Sequence, residues 1–113
     1  MAVASSGRAS KPVVALADVR EDVQVPCDYF DTRVGATAEG SLRRYFATTD
    51  RIALNPRSYP IKFEDYHRAL VPRSCFAIYY FQEPARSVIV AVIGARRHPR
   101  FIRNLVRTRR PGG

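Results

Sequence analysis

The chain reads as an α+β domain, with an N-terminal strand and a helical hairpin packed on a small, mainly antiparallel sheet and a short basic helix at the C-terminal end. Three observations lead there. Residues 76–81 and 87–95 are apolar runs rich in β-branched and aromatic side chains, split by the polar break Gln82-Glu83-Pro84-Ala85-Arg86. That is the pattern of an antiparallel hairpin. Neither run alternates with polar residues, so both faces of the hairpin are covered and it sits at the centre of its sheet. Upstream, two stretches carry apolar residues at spacings of three and four and are joined only by residues 35–37, which predicts two helices folded back on each other.

Taken in order, residues 13–17 (VVALA) form a first strand after Pro12. Asp18, with Glu21 three residues on, has the arrangement of a capping box. Val19, Val23, Cys27, Phe30 and Val34 then make the stripe of a first helix, which Pro26 kinks or divides. Gly35 stops it. Thr37 opens a second helix with Ala38, Leu42, Tyr45/Phe46, Thr49 and Ile52/Ala53 on its apolar face, and Asn55-Pro56 ends it. Residues 61–65 and 66–71 read as two weaker strands, and Pro72-Arg73-Ser74 turns the chain into the central hairpin. Beyond Pro99, residues 100–107 place Phe101, Ile102, Leu105 and Val106 on one side of a short helix, with Arg100, Arg103 and Arg107 elsewhere. The expected organisation is a flexible leader over 1–12, one domain over 13–107 and a disordered tail over 108–113.

At 113 residues the chain suffices for one modest core. No apolar segment is long enough to cross a bilayer, and the leader lacks the apolar middle of a secretory signal, so a cytoplasmic protein is expected. Cys27 and Cys75 have no metal-ligand spacing and are expected to be reduced, buried thiols, with no metal or cofactor. The net charge is +9, carried almost wholly by arginine. Residues 1–56 hold seven Lys/Arg against seven Asp/Glu, whereas residues 57–113 hold twelve against three. Replacement of Lys by Arg in a GC-rich genome accounts for the residue type, not for this asymmetry. The back half is therefore where a polyanion or an acidic partner docks, and Arg43, Arg44 and Arg51 in the front half balance local acids. Of Arg96 and Arg97, on alternate faces at the end of the last strand, one points into a shared pocket. Tyr79 and Tyr80 also face opposite ways, one into the core and one outward.

The succession of an early strand, two helices ending in Asn55-Pro56-Arg57-Ser58-Tyr59-Pro60, then Arg68-Ala69-Leu70, Phe76-Ala77-Ile78-Tyr79-Tyr80 and a last strand running into Arg96-Arg97-His98-Pro99 resembles the RelE/ParE superfamily of bacterial toxins. The resemblance spans roughly residues 13–103 and lies in the order of blocks. It implies the toxin half of a type II toxin–antitoxin module, neutralised by a cognate acidic antitoxin that folds on binding and oligomeric only through that complex. Such toxins act on messenger RNA at the ribosome or on DNA gyrase. Metal-independent RNA cleavage needs an activated 2′-hydroxyl, a stabilised phosphorane and a protonated leaving oxygen, for which His67, Arg68, Arg97 and His98 are the candidates. The set is incomplete, because Ala69 and Ala77 stand where further basic residues are expected and no tyrosine follows Tyr80. A ParE-like, non-hydrolytic toxin is therefore favoured over a RelE-like ribonuclease. A non-toxic nucleic-acid-binding module is a further alternative. The expected target- or antitoxin-binding surface comprises Arg68, Arg73, Tyr80, Arg96, Arg97 and Arg100.

Overall fold

The strands form where β-branched and aromatic residues cluster, and the helices where apolar residues recur every three to four. The computed structural model describes residues 10–22 and 38–111, and the structural statements below concern those residues. They form β1 (Val13–Ala15), α1 (Ala17–Asp22), α2 (Ala38–Leu54), β2 (Ile61–Phe63), β3 (Tyr66–Leu70), β4 (Phe76–Gln82), β5 (Ser87–Gly94) and α3 (Pro99–Arg109). The α+β class and the order of elements follow the sequence reading. The rest of the first helix, including Pro26, lies outside the described residues.

The sheet order is β1-β5-β4-β3-β2. Strands β2 to β5 pair antiparallel, and β1 adds parallel to β5. Residues alternate cleanly between faces along β3 and β4. Ala69, Val71, Ile78 and Tyr80 pack with Tyr45 and Ile52 of α2 and Val19 of α1, while Tyr66, Ala77, Tyr79 and Phe81 pack with Ile102 and Val106 of α3. Strand β5 breaks its alternation at one place. Tyr79 pairs with Ala91 and Tyr80 with Ile89, which leaves Val90 without a partner; this bulge turns both Val90 and Ala91 toward α3.

Helices cover both faces of the sheet, as the apolar runs of the hairpin imply, with α3 on the face opposite α1 and α2. Several expectations need correction. On α2 the buried positions are Tyr45, Thr48 and Ile52, and Phe46 is 57% exposed. Lys11 and Pro12 belong to the fold rather than to a leader. The Lys11 amide donates to Ala53, its Nζ donates to the Glu83 carbonyl, and Pro12 accepts from the Ser87 amide. At the other end Arg110 bonds back to Val106 and pairs with Asp65. Cys75 is buried but disulfide-bonded, not a free thiol; the other cysteine, Cys27, lies outside the described residues.

Because β1 is only three residues long, β5 runs past it with backbone groups open on that side. Asp22 and Arg109 close the gap. Asp22 Oδ2 accepts from the Val92 amide at 2.9 Å and from Arg109 Nη1 at 2.6 Å, and Oδ1 accepts from Nη2 at 3.0 Å. Arg109 Nη1 also donates to the Val90 carbonyl. The Asp22 hydrogen bond raises the Arg109 pKa further above its ordinary value. Two more pairs, Arg107 with Glu64 and Arg110 with Asp65, fasten the last turn of α3 to the β2–β3 turn.

Asp22→Ala takes the 2.6 Å carboxylate from a largely buried guanidinium, leaving it the longer 3.6 Å contact with Asp18, and unpairs a strand amide. The expected cost is about 3 kcal/mol in urea unfolding, and a loss below about 1 kcal/mol would show that solvent already screens the pair. Asp65 carries a pH signature. Chiefly through the hydrogen bond from Arg110, its carboxyl is held below the usual range. A depressed carboxylate contributes stability above its unfolded pKa and loses it as pH falls through its folded one. Unfolding free energy is therefore expected to fall below about pH 4. Asp65→Asn should flatten that slope while changing neutral-pH stability by less than about 1 kcal/mol, since the pair is substantially exposed.

Candidate functional site

On the α3 face of the sheet, next to the first turn of that helix, lies a cleft of about 120 Å³ lined by Lys62, Phe63, Arg68, Tyr79, Ala95, Arg97, Pro99, Ile102 and Arg103. Four of these side chains are cations, and they come from four places in the chain: β2, β3, the turn after β5, and α3. Strand register explains part of the convergence. Arg68 and Tyr79 are cross-strand partners, so both project to the same face. Arg97 arrives through a tight turn in which its amide donates to the Gly94 carbonyl. Arg103 lies one turn into α3 from Pro99.

Among the described residues, no carboxylate lies within salt-bridge distance of Lys62, Arg68, Arg97 or Arg103. The nearby acids Glu64 and Asp65 are engaged by Arg107 and Arg110 instead. What steadies the cleft cations is aromatic. The Arg97 guanidinium lies 3.8 Å from the centroid of the Phe101 ring, and Arg103 lies 5.7 Å from that of Phe63. The N-terminal end of α3 adds the positive end of its dipole. These cations therefore repel one another and the helix end, and an anion in the cleft relieves both repulsions. Arginine forks and an ammonium suit phosphate or carboxylate oxygens. Among the described lining residues there is no imidazole or carboxylate; the proton-bearing groups other than the guanidinium forks are the Lys62 ammonium and the Tyr79 hydroxyl.

The structure brings Arg68 and Arg97 together and separates the other expected site residues. Arg96 and Arg100 are exposed and do not line the cleft. Arg73 lies on the α2 side of the sheet with Arg44 and Arg51, so the single arginine patch expected from the sequence is two separate ones. Tyr80 cannot reach a partner, because it is fully buried and its hydroxyl donates to the Pro56 carbonyl at 2.7 Å. Burial pushes its phenol well above the ordinary value, so it remains a donor. His67 is 6% exposed and stacked on Tyr80. Its Nδ1 donates to the Tyr59 carbonyl and its Nε2 accepts from the Gln82 amide nitrogen, which uses both ring nitrogens. His98 caps α3, its Nδ1 accepting from the Arg100 amide. His67 is thus structural, a correction to its candidacy as an acid–base group, whereas His98 is exposed and its cap engages Nδ1 alone.

Lys62, Tyr79 and Arg103 were missed. The choice between Tyr79 and Tyr80 turns on strand register, and a strand parity count from Arg68 across a correctly placed turn selects Tyr79. Lys62 sits on a strand too short to show a period. Arg103 lies off the apolar side of its helix, where spacing alone does not tell a cleft residue from a solvated one. Among the described residues no three or more His, Cys, Asp or Glu are grouped to hold a metal, and no helix is long and apolar enough to cross a membrane. The chain matches no family model and no curated protein.

His98→Ala is expected to lower stability by about 1 kcal/mol through loss of the cap, measured by denaturant unfolding. It should leave anion affinity of the cleft unchanged, whereas Arg97→Ala should do the reverse.

Proposed function

We propose that this chain is the toxin half of a type II toxin–antitoxin module and that it acts through the Lys62/Arg68/Arg97/Arg103 cleft by binding its target. The observation that carries this reading is the convergence of four cations without a carboxylate partner on one cleft, from elements whose order resembles that of RelE/ParE toxins. Such a cleft has a strong electrostatic reason to take an acidic surface or a nucleic-acid backbone. A cognate antitoxin with an acidic segment would cover the same cations and silence it. The structural role of His67 and the absence of an imidazole from the cleft's described lining favour a ParE-like action on DNA gyrase, where binding alone suffices. The protein would work in the cytoplasm with its target.

One observation favours a second reading. Lys62 stands beside three guanidinium groups, an arrangement in which the arginines hold a phosphorane and the ammonium protonates the leaving oxygen. That is the chemistry of a RelE-like, ribosome-dependent endoribonuclease.

Inducible expression in a bacterium is expected to arrest growth, and the Arg68→Ala, Arg97→Ala double variant at equal soluble level should restore it. Normal growth with soluble wild-type protein would reject the toxin reading and leave a non-toxic nucleic-acid binder. After arrest, loss of gyrase supercoiling with intact messenger RNA supports the first target, and cleaved messenger RNA with normal supercoiling supports the second.

A further inference from the structure

A second cleft lies on the opposite side of the sheet, between α2 and the turn joining β3 to β4. It measures about 210 Å³ and is lined by Arg44, Ala47, Thr48, Arg51, Pro72 and Arg73. Three of its six lining side chains are arginines. Among the described residues none of the three has a carboxylate within salt-bridge distance.

Two independent details mark the cleft as more than a charged surface. Among the described residues, Arg44 Nη1 is buried and has no hydrogen-bond partner. A buried charged donor left unmet is costly, and in folded proteins such groups are nearly always satisfied. Arg73 has left-handed backbone at φ 57°. Glycine serves that conformation without strain and a long side chain does so less readily, yet this position carries an arginine that lines the cleft.

We propose that this cleft binds a phosphate group, held by the guanidinium forks of Arg44, Arg51 and Arg73. A phosphate offers three or more oxygens to three forks and supplies the charge to match them. A single carboxylate offers two oxygens and one charge, leaving two arginines uncompensated. Ala47, Pro72 and the buried Thr48, whose hydroxyl is turned back to the Arg44 carbonyl, give the walls an apolar character against which an attached sugar can rest. The phosphate belongs either to a free nucleotide or to a polynucleotide backbone. The inference stands apart from the toxin reading and from the cleft on the α3 side.

The test is an NMR titration of the ¹⁵N-labelled full chain with inorganic phosphate, adenosine monophosphate and a short single-stranded oligonucleotide, with an acidic peptide as comparison. Saturable amide shifts confined to residues 44–51 and 72–74 are expected. Arg44→Lys keeps the charge and removes the fork, and should weaken binding about tenfold. Arg73→Gly should weaken it similarly while unfolding at the same denaturant concentration or higher, because it also relieves the backbone. Arg86→Ala, which lowers net charge elsewhere, should leave affinity unchanged. Saturation by the mononucleotide assigns the site to a free nucleotide, and saturation by the oligonucleotide alone assigns it to a polymer backbone; either upholds phosphate recognition. The proposal fails if no phosphate compound shifts these amides, if Arg73→Gly binds like the parent, or if the acidic peptide binds there more tightly.

Discussion

The clasp between Asp22 and Arg109 is the contact on which the layered arrangement rests. A sheet strand that outruns its neighbour exposes a carbonyl and an amide, and burial of such groups without partners is heavily penalised. Here one carboxylate and one guanidinium answer both Val92 and Val90 while joining α1 to α3. The helix would otherwise be held by Ile102 and Val106, each worth on the order of 2 kcal/mol of apolar burial, and by the more exposed pairs Arg107–Glu64 and Arg110–Asp65. Without the clasp, α3 is poorly fixed on its face, and the cleft at its other end is poorly formed.

Charge along α3 is sorted by position. Arg107, Arg109 and Arg110 lie at the carboxyl end, where the dipole favours cations, and each has an acid partner. Arg97, Arg100 and Arg103 lie at or near the amino end, where the dipole opposes them. Arg97 and Arg103 rest on rings instead of carboxylates. One end of the helix is thus electrostatically complete and docks it, and the other is left under strain that an incoming anion relaxes.

The strands were legible because apolar runs covered on both faces leave few alternatives, and α2 because Asn55-Pro56 must end it. Two features escaped for physical reasons. An extra residue such as Val90 leaves no mark in a run where every residue is apolar, and the role of α3 as a second roof depends on ion pairs distant in sequence. The site divided along the same line. Arg68 stood out as a cation within a short strand and Arg97 as one just past the end of a strong one, but Tyr79 could be told from Tyr80 only once β3 and β4 were in register. His67 looked like chemistry and is packing: an imidazole flanked by Tyr59, Gln82 and Tyr80 cannot be distinguished from a catalytic one by residue type.

Strand β2 forms one margin of the sheet, and only three residues make it, with an exposed Ile61 beside Lys62. Open margins recruit foreign strands, and a lysine placed there is a common deterrent. Lys62 therefore answers to two demands, adding positive charge to the cleft and keeping the molecule from stacking into aggregates. Drift toward an apolar residue at this position would be penalised through solubility whatever became of the cleft.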